Sequence, residues 1–297
     1  MPLQTKGYKA IVAEKIYTVL CRPKLVRRIV HWCLLKIIPE KVRILDQFDL
    51  VLNPRDPVLS SAVTFGVYEP FEQKVFRKMC HAGFNVVDIG ANVGLYTGIA
   101  ASQVGPGGMV IAIEPHPESF KYLSLMCELN QFANVRKFNV AAGDSQREIE
   151  LFLTNENMAD SRIYDTSGKR PSIKTKMVVL DDLLKDQKIN RIDLIKMDIQ
   201  GAEGLALAGL HETLKQAKSL VVFSEFWPWG LRQTGIDPFD YLKTFRDFGF
   251  SVSMIQEEKC SVTEMGSLSD FMENFHSTEY GSTQMQRSHT NLIFSKP

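Results

Sequence analysis

Apolar and polar positions change period several times along the chain, and the changes mark its elements. Residues 7–39 read as two helical pieces broken near Pro23. Ile11, Ile16, Tyr17, Val19 and Leu20 line the first piece, and Leu25, Ile29, Trp32, Leu35 and Ile38 the second. Alternation and Asn-Pro and Asp-Pro breaks between Val42 and Val63 predict one or two strands and a turn. A helix follows from Phe71 to Cys80. Then short apolar runs alternate with helical spacing, the rhythm of a parallel α/β sheet. The strands expected are Asn85–Ile89, Met109–Ile113, Val135–Ala141, 148–154, Thr175–Leu180, Ile192–Met197, Ser219–Phe223, Phe250–Ile255 and Asn291–Phe294. The helices expected begin at Val93, span Pro117–Asn130, follow the Ile199–Glu203 stretch to about Ala217, and span Pro238–Phe248. Asn155 to Ser172 is polar with Gly168 and Pro171, so it reads as a loop long enough to act as a lid. Residues 257–289 are weakly patterned.

One stretch organises the rest. Asn85 to Thr97 reads NVVDIGANVGLYT, a buried strand, a turn and a helix start. Gly90, Asn92 and Gly94 let a ligand approach bare backbone, and the helix N-terminus offers unpaired N–H groups. A dinucleotide fingerprint needs glycine at the first, third and sixth turn positions. Here those are Gly90, Asn92 and Leu95, so two of the three fail. Asp88 stands just ahead of the turn, where an acid repels a pyrophosphate and suits an ammonium group or a donor-rich turn. The second strand ends in Glu114-Pro115, 24 residues after Gly90. A carboxylate there can accept two hydrogen bonds from a ribose diol. The end of the third strand, Val140 and Ala141, is where an adenine ring would lie. Glu69 either favours its own helix N-terminus or reaches the ligand. His116 reads as a turn or capping residue.

Charge changes the picture only near the start. The chain carries a net +1, but residues 1–43 hold ten Lys or Arg against two acids, a net +8 that leaves −7 for the remainder. A basic amphipathic helix can lie on an anionic membrane surface; the plainer reading is an arm packed on the body with a solvated basic face. Five dispersed cysteines without a Cys-x-x-Cys pair suit a reducing cytoplasm rather than a disulfide framework or a zinc site. No signal peptide is visible, and the apolar run Trp32–Ile38, interrupted by Lys36, is too short for a membrane span of about 20 residues. The expected location is cytoplasmic; the alternative reading of the arm adds a peripheral contact at the inner face of a membrane through residues 1–43. The overall charge gives no pull towards nucleic acid.

Several separated motifs agree. Asp-x-Gly-x-Asn-x-Gly at Asp88–Gly94 resembles the first motif of class I S-adenosylmethionine-dependent methyltransferases. With Gly66–Glu69, the Glu114 strand end, VVLDDLL at 178–184, IDLIKMDIQGAE at 192–203 and the late TNLIF strand, residues 60–296 resemble the FkbM-like family. Where that family more often has an acid, this chain has Gln200. The resemblance implies a Rossmann-like fold with a mostly parallel seven-stranded sheet flanked by helices; the N-terminal helical arm that precedes it lies outside the resemblance. The resemblance divides the chain into an arm with lead-in strands (1–60) and a methyltransferase domain (61–297). It implies S-adenosylmethionine as donor and O-methylation of a sugar, glycolipid or natural-product hydroxyl as the reaction. The acceptor is then a small molecule or a glycan- or lipid-linked hydroxyl.

Transfer to a hydroxyl is helped by a positioned base. Asp198 and Glu225 end adjacent strands, and Glu203 lies one helical turn from Asp198, so these three are the catalytic candidates, with Asp198 also near the donor. Lys196 is the nearest local partner of Asp198. Tyr68, Phe226, Trp227 and Trp229 could wall the sulfonium or the acceptor. The donor set expected is Glu69, Asp88, Gly90, Asn92, Gly94, Glu114, Pro115, Val140, Ala141 and Asp198. No resident metal is expected; a variant in which the clustered carboxylates hold Mg²⁺ is the alternative. Two other classes compete: a non-catalytic, membrane-associated module that binds the donor without turnover, and an NAD-dependent oxidoreductase.

Overall fold

The computed structural model describes residues 38–154, 157–277 and 289–297. The two helical pieces expected over 7–39 lie almost wholly outside them, as does most of the basic segment 1–43.

A short hairpin, β1 (Lys41–Ile44) and β2 (Phe48–Val51), precedes helices α1 (Pro57–Thr64) and α2 (Pro70–Met79). The alternating unit follows as β3 (Asn85–Ile89), α3 (Leu95–Val104), β4 (Met109–Ile113), α4 (Pro117–Leu129) and β5 (Val135–Phe138). Next come β6 (Ala141–Gly143), β7 (Arg147–Phe152), β8 (Ser172–Val179), α5 (Leu180–Asp186), β9 (Leu194–Met197), α6 (Glu203–Ala208) and α7 (His211–Gln216). The chain ends with β10 (Leu220–Phe226), α8 (Pro228–Gln233), α9 (Pro238–Asp247), β11 (Ser251–Gln256), β12 (Ser261–Glu264), α10 (Leu268–Ser277) and β13 (Thr290–Lys296). No helix among the described residues is long and apolar enough to cross a membrane.

The main sheet has the order β12-β11-β13-β10-β9-β3-β4-β5. The β10, β9, β3, β4 and β5 pairings are parallel, and β13, β11 and β12 add antiparallel ones. The α/β class is as expected; the sheet has eight strands rather than seven, because β12 folds back on β11 within a stretch that looked unpatterned. Both faces are covered, as a parallel sheet requires. Phe48, Phe76, Ile99 and Leu123 build one apolar cluster. Leu242, Phe245 and Phe294 build the other.

Three local departures have clear causes. The segment DPVLSSAV is helix α1, not strand: Asp56 accepts from Leu59 N at 3.0 Å, and Pro57 sits at the first helical position. Val135–Ala141 divides into two strands in different sheets. Asn139 turns to donate to the carbonyls of Glu114 and Pro115, and Ala141 then pairs with Met177 of β8. The helix after Asp198 breaks at Gly209, whose carbonyl accepts from Asp181 N and where a Cβ would overlap the Gly143 carbonyl oxygen.

Candidate active site

A cavity of about 570 Å³ lies beyond the carboxyl ends of β3, β4, β9 and β10, the usual ligand position in such sheets. Its size falls within the roughly 300–1,000 Å³ of small-molecule sites. The turn after β3 makes its floor. Gly90 adopts φ +85°, and a Cβ there would overlap the Asp198 carbonyl oxygen. Gly90 N and Ala91 N both donate to Ile113 O, at 2.9 and 3.0 Å, which ties the turn to the end of β4.

Glu114 locks that turn from the β4 side. One of its oxygens accepts from Asn92 N at 2.8 Å and the other from His116 N at 2.7 Å. Burial pushes its carboxyl up to about 7. His116 caps α4 through Nδ1, as its position in the sequence suggested.

Glu69 enters from the first residue ahead of α2, in a left-handed conformation at φ +42°. Its Oε2 accepts from the Tyr96 hydroxyl at 2.8 Å. Burial, then the Asp198 charge, raise its carboxyl to about 7. The Tyr96 ring also stands 4.4 Å from Lys196 Nζ, a cation–π contact.

Strand register brings the remaining acids together. Met197 of β9 is opposite Ser224 of β10, so the next residues, Asp198 and Glu225, emerge side by side. The Gln200 amide donates to Asp198 Oδ1 and to Glu225 Oε2, each at 3.2 Å. Asp198 Oδ2 accepts from Lys196 Nζ at 3.3 Å. Burial opposes the Lys196 charge, but Asp198, Asp88 and Glu69 more than offset it and raise its pKa. Burial, followed by Asp198, Glu203 and Glu69, holds the Glu225 carboxyl well above the usual range.

Residues 157–163 close one side of the cavity. Asp56 Oδ2 accepts from Met158 N at 2.9 Å, and the Tyr164 hydroxyl donates to Gln200 O at 3.2 Å. Residues 158–164 of the loop expected to be a lid are thus fastened at both ends. Arg162, singled out by no motif, stacks over Trp227 at 4.6 Å.

The part of the chain holding this geometry, residues 88–252, matches the methyltransferase FkbM domain model. The chain belongs to that family. Similar proteins include Methyltransferase 1 of Beauveria bassiana, 25% identical over 58% of this chain and 76% of that protein. The 2-O-methyltransferase NoeI of Sinorhizobium fredii is 29% identical over 48% of this chain and 62% of its own length. Among solved structures, the methyltransferase FkbM from Methylobacillus flagellatus aligns over 93% of this chain and 60% of that one, at 14% identity and a TM-score of 0.41.

As an FkbM methyltransferase the protein uses S-adenosylmethionine, and the NAD-dependent reading falls away. The residues present suit that donor: bare backbone at Gly90 and a wall rich in carboxylates face a ligand that carries sulfonium and ammonium charges. Of the residues expected around it, Glu69, Gly90, Asn92, Glu114, Pro115, Ala141 and Asp198 line the cavity.

Four of the residues expected at the site do not line the cavity. Asp88 projects from β3 into the sheet face beside Lys196, fully buried, and accepts from Thr97 Oγ1 at 2.6 Å. Gly94 faces Leu123 and Met126 of α4. Val140 packs on the second apolar cluster. Glu203, expected as a catalytic candidate, is fully buried and folds back to accept from Ile199 N at 2.9 Å. Among the aromatics, Tyr68 and Trp227 reach the cavity. Phe226 is core, stacked on Tyr241, and Trp229 packs against Tyr164 and Trp227.

Proposed function

We propose that the enzyme methylates a hydroxyl oxygen on a sugar or natural-product acceptor, with Glu225 taking the proton and Asp198 positioning the acceptor. The observation that carries this is the strand register that brings the Glu225 and Asp198 carboxyls side by side in the cavity wall. Gln200 occupies one Glu225 oxygen, which leaves the other for the acceptor O–H.

S-adenosylmethionine supplies an electrophilic methyl group on a positively charged sulfur. The Gly90 turn, Glu114 and Ala141 hold the donor along the ends of β3, β4 and β6. Tyr68, Tyr96 and Trp227 exclude water from the reacting centre, and the 157–163 lid completes the enclosure. Alignment of the acceptor oxygen with the methyl group is the main contribution expected of the site. The name of the NoeI relative, a 2-O-methyltransferase, supports oxygen as the acceptor atom.

The test is incubation of the full chain with methyl-labelled S-adenosylmethionine and a panel of sugars, glycolipids and hydroxylated natural products. Label recovered as a methyl ether, and lost with Glu225→Gln, supports the reading. Label recovered on nitrogen or carbon would replace it.

A further inference from the structure

The cavity is divided in charge. Glu69, Glu114, Asp198 and Glu225 line the strand-end wall with one cation, Lys196. That half suits a cationic donor. The lid contributes the opposite sign through Arg162.

Three features make Arg162 more than a loop anchor. Its Nε donates to Asp160 Oδ1 at 2.7 Å, which uses one edge of the guanidinium. Asp160 is already shared: Arg170 donates to its other oxygen at 2.8 Å and to its backbone carbonyl at 2.7 Å. One carboxylate therefore answers two guanidiniums. The Arg162 plane is also held over the Trp227 indole at 4.6 Å, with its side chain only 16% exposed. Yet Arg162 lines the cavity. Among the described residues Asp160 is its one ion-pair partner.

A guanidinium is weakly hydrated, keeps its charge at all working pH, and presents forked donors that match an oxyanion. Hydrogen bonds from such a cation to an ionised acceptor are roughly twice as strong as those to a neutral one. Trp227 also has its face covered by Arg162, so it is not an open platform for stacking a neutral sugar ring. We infer that Arg162 reads an oxyanion on the acceptor, a carboxylate or a phosphoryl group, close to the hydroxyl that is methylated. This rests on the acceptor entering beside Glu225, two residues before Trp227.

The test uses the full chain saturated with S-adenosylhomocysteine, its binding confirmed by calorimetry; failure there counts against the donor, not against Arg162. Inorganic phosphate, glucuronate and glucose are then titrated separately by ligand-detected NMR. Phosphate or glucuronate should bind at least about tenfold more tightly than glucose, consistent with charge-assisted recognition, and their order tells phosphoryl from carboxylate. In Arg162→Gln the advantage should shrink to within about twofold while S-adenosylhomocysteine affinity is unchanged; Arg162→Lys should retain part of it. Glucose binding as well as the anions, no anion binding at all, or an undiminished advantage in Arg162→Gln would overturn the proposal.

Discussion

Gly90 and Asp198 touch through their backbones: a Cβ on Gly90 would overlap the Asp198 carbonyl oxygen and come within 2.9 Å of Ile199 Cγ2. The first turn of the sheet and the end of its neighbouring strand are therefore one unit. Gly90→Ala would have to part them, at a φ of +85° that also disfavours a side chain. The expected cost is about 2 kcal/mol or more, with at least tenfold weaker S-adenosylhomocysteine binding on the order of the same energy. Thermal unfolding and calorimetry read both.

Buried acids give the protein a pH signature. Glu69, Glu114 and Glu203 each have a carboxyl raised from 4.5 to about 7, in every case first by burial. The folded state therefore keeps protons that the unfolded chain releases between those values. The stability these groups contribute is fully present below about 4.5 and is lost as pH rises to about 7. Glu203→Gln mimics the protonated acid and can keep the bond from Ile199 N. It should melt above the parent at pH 8 and close to it at pH 5. An equal effect at both values would contradict the assignment.

The lid depends on Asp56, which caps α1 through one oxygen and accepts from Met158 N with the other. Asp56→Ala should cost about 1–2 kcal/mol, as for other lost caps. It should also speed proteolysis within 154–171, because the lid loses its hold on the body. Cleavage no faster than in the parent would mean that the Tyr164–Gln200 contact suffices.

The turn after Asn85–Ile89, the parallel order and the Asp198–Glu225 juxtaposition were legible because strand ends follow directly from apolar runs. Direction was less legible. Asp88 sits in the right motif, but its side chain follows the strand's alternation and lies beside Lys196 rather than in the cavity wall. Glu203 lies at the right helical spacing, yet its carboxyl closes on Ile199 N of its own turn. Arg162 had no local signal, since its contact with Trp227 spans 65 residues of sequence and forms only when the lid folds. The Asp56-Pro57 pair was a helix start that alternation concealed.

The most direct measurement is the single-turnover rate of methyl transfer by Glu225→Gln, with S-adenosylhomocysteine affinity determined on the same protein. Removing a general base slows the chemical step by about 10²–10⁴-fold. The expected result is a rate lowered by that factor with donor affinity within about threefold of the parent, since Glu225 lies on β10, two strands away from β3 and its Gly90 turn. A Glu225→Gln enzyme that transfers methyl groups at the parental rate would contradict the assigned role.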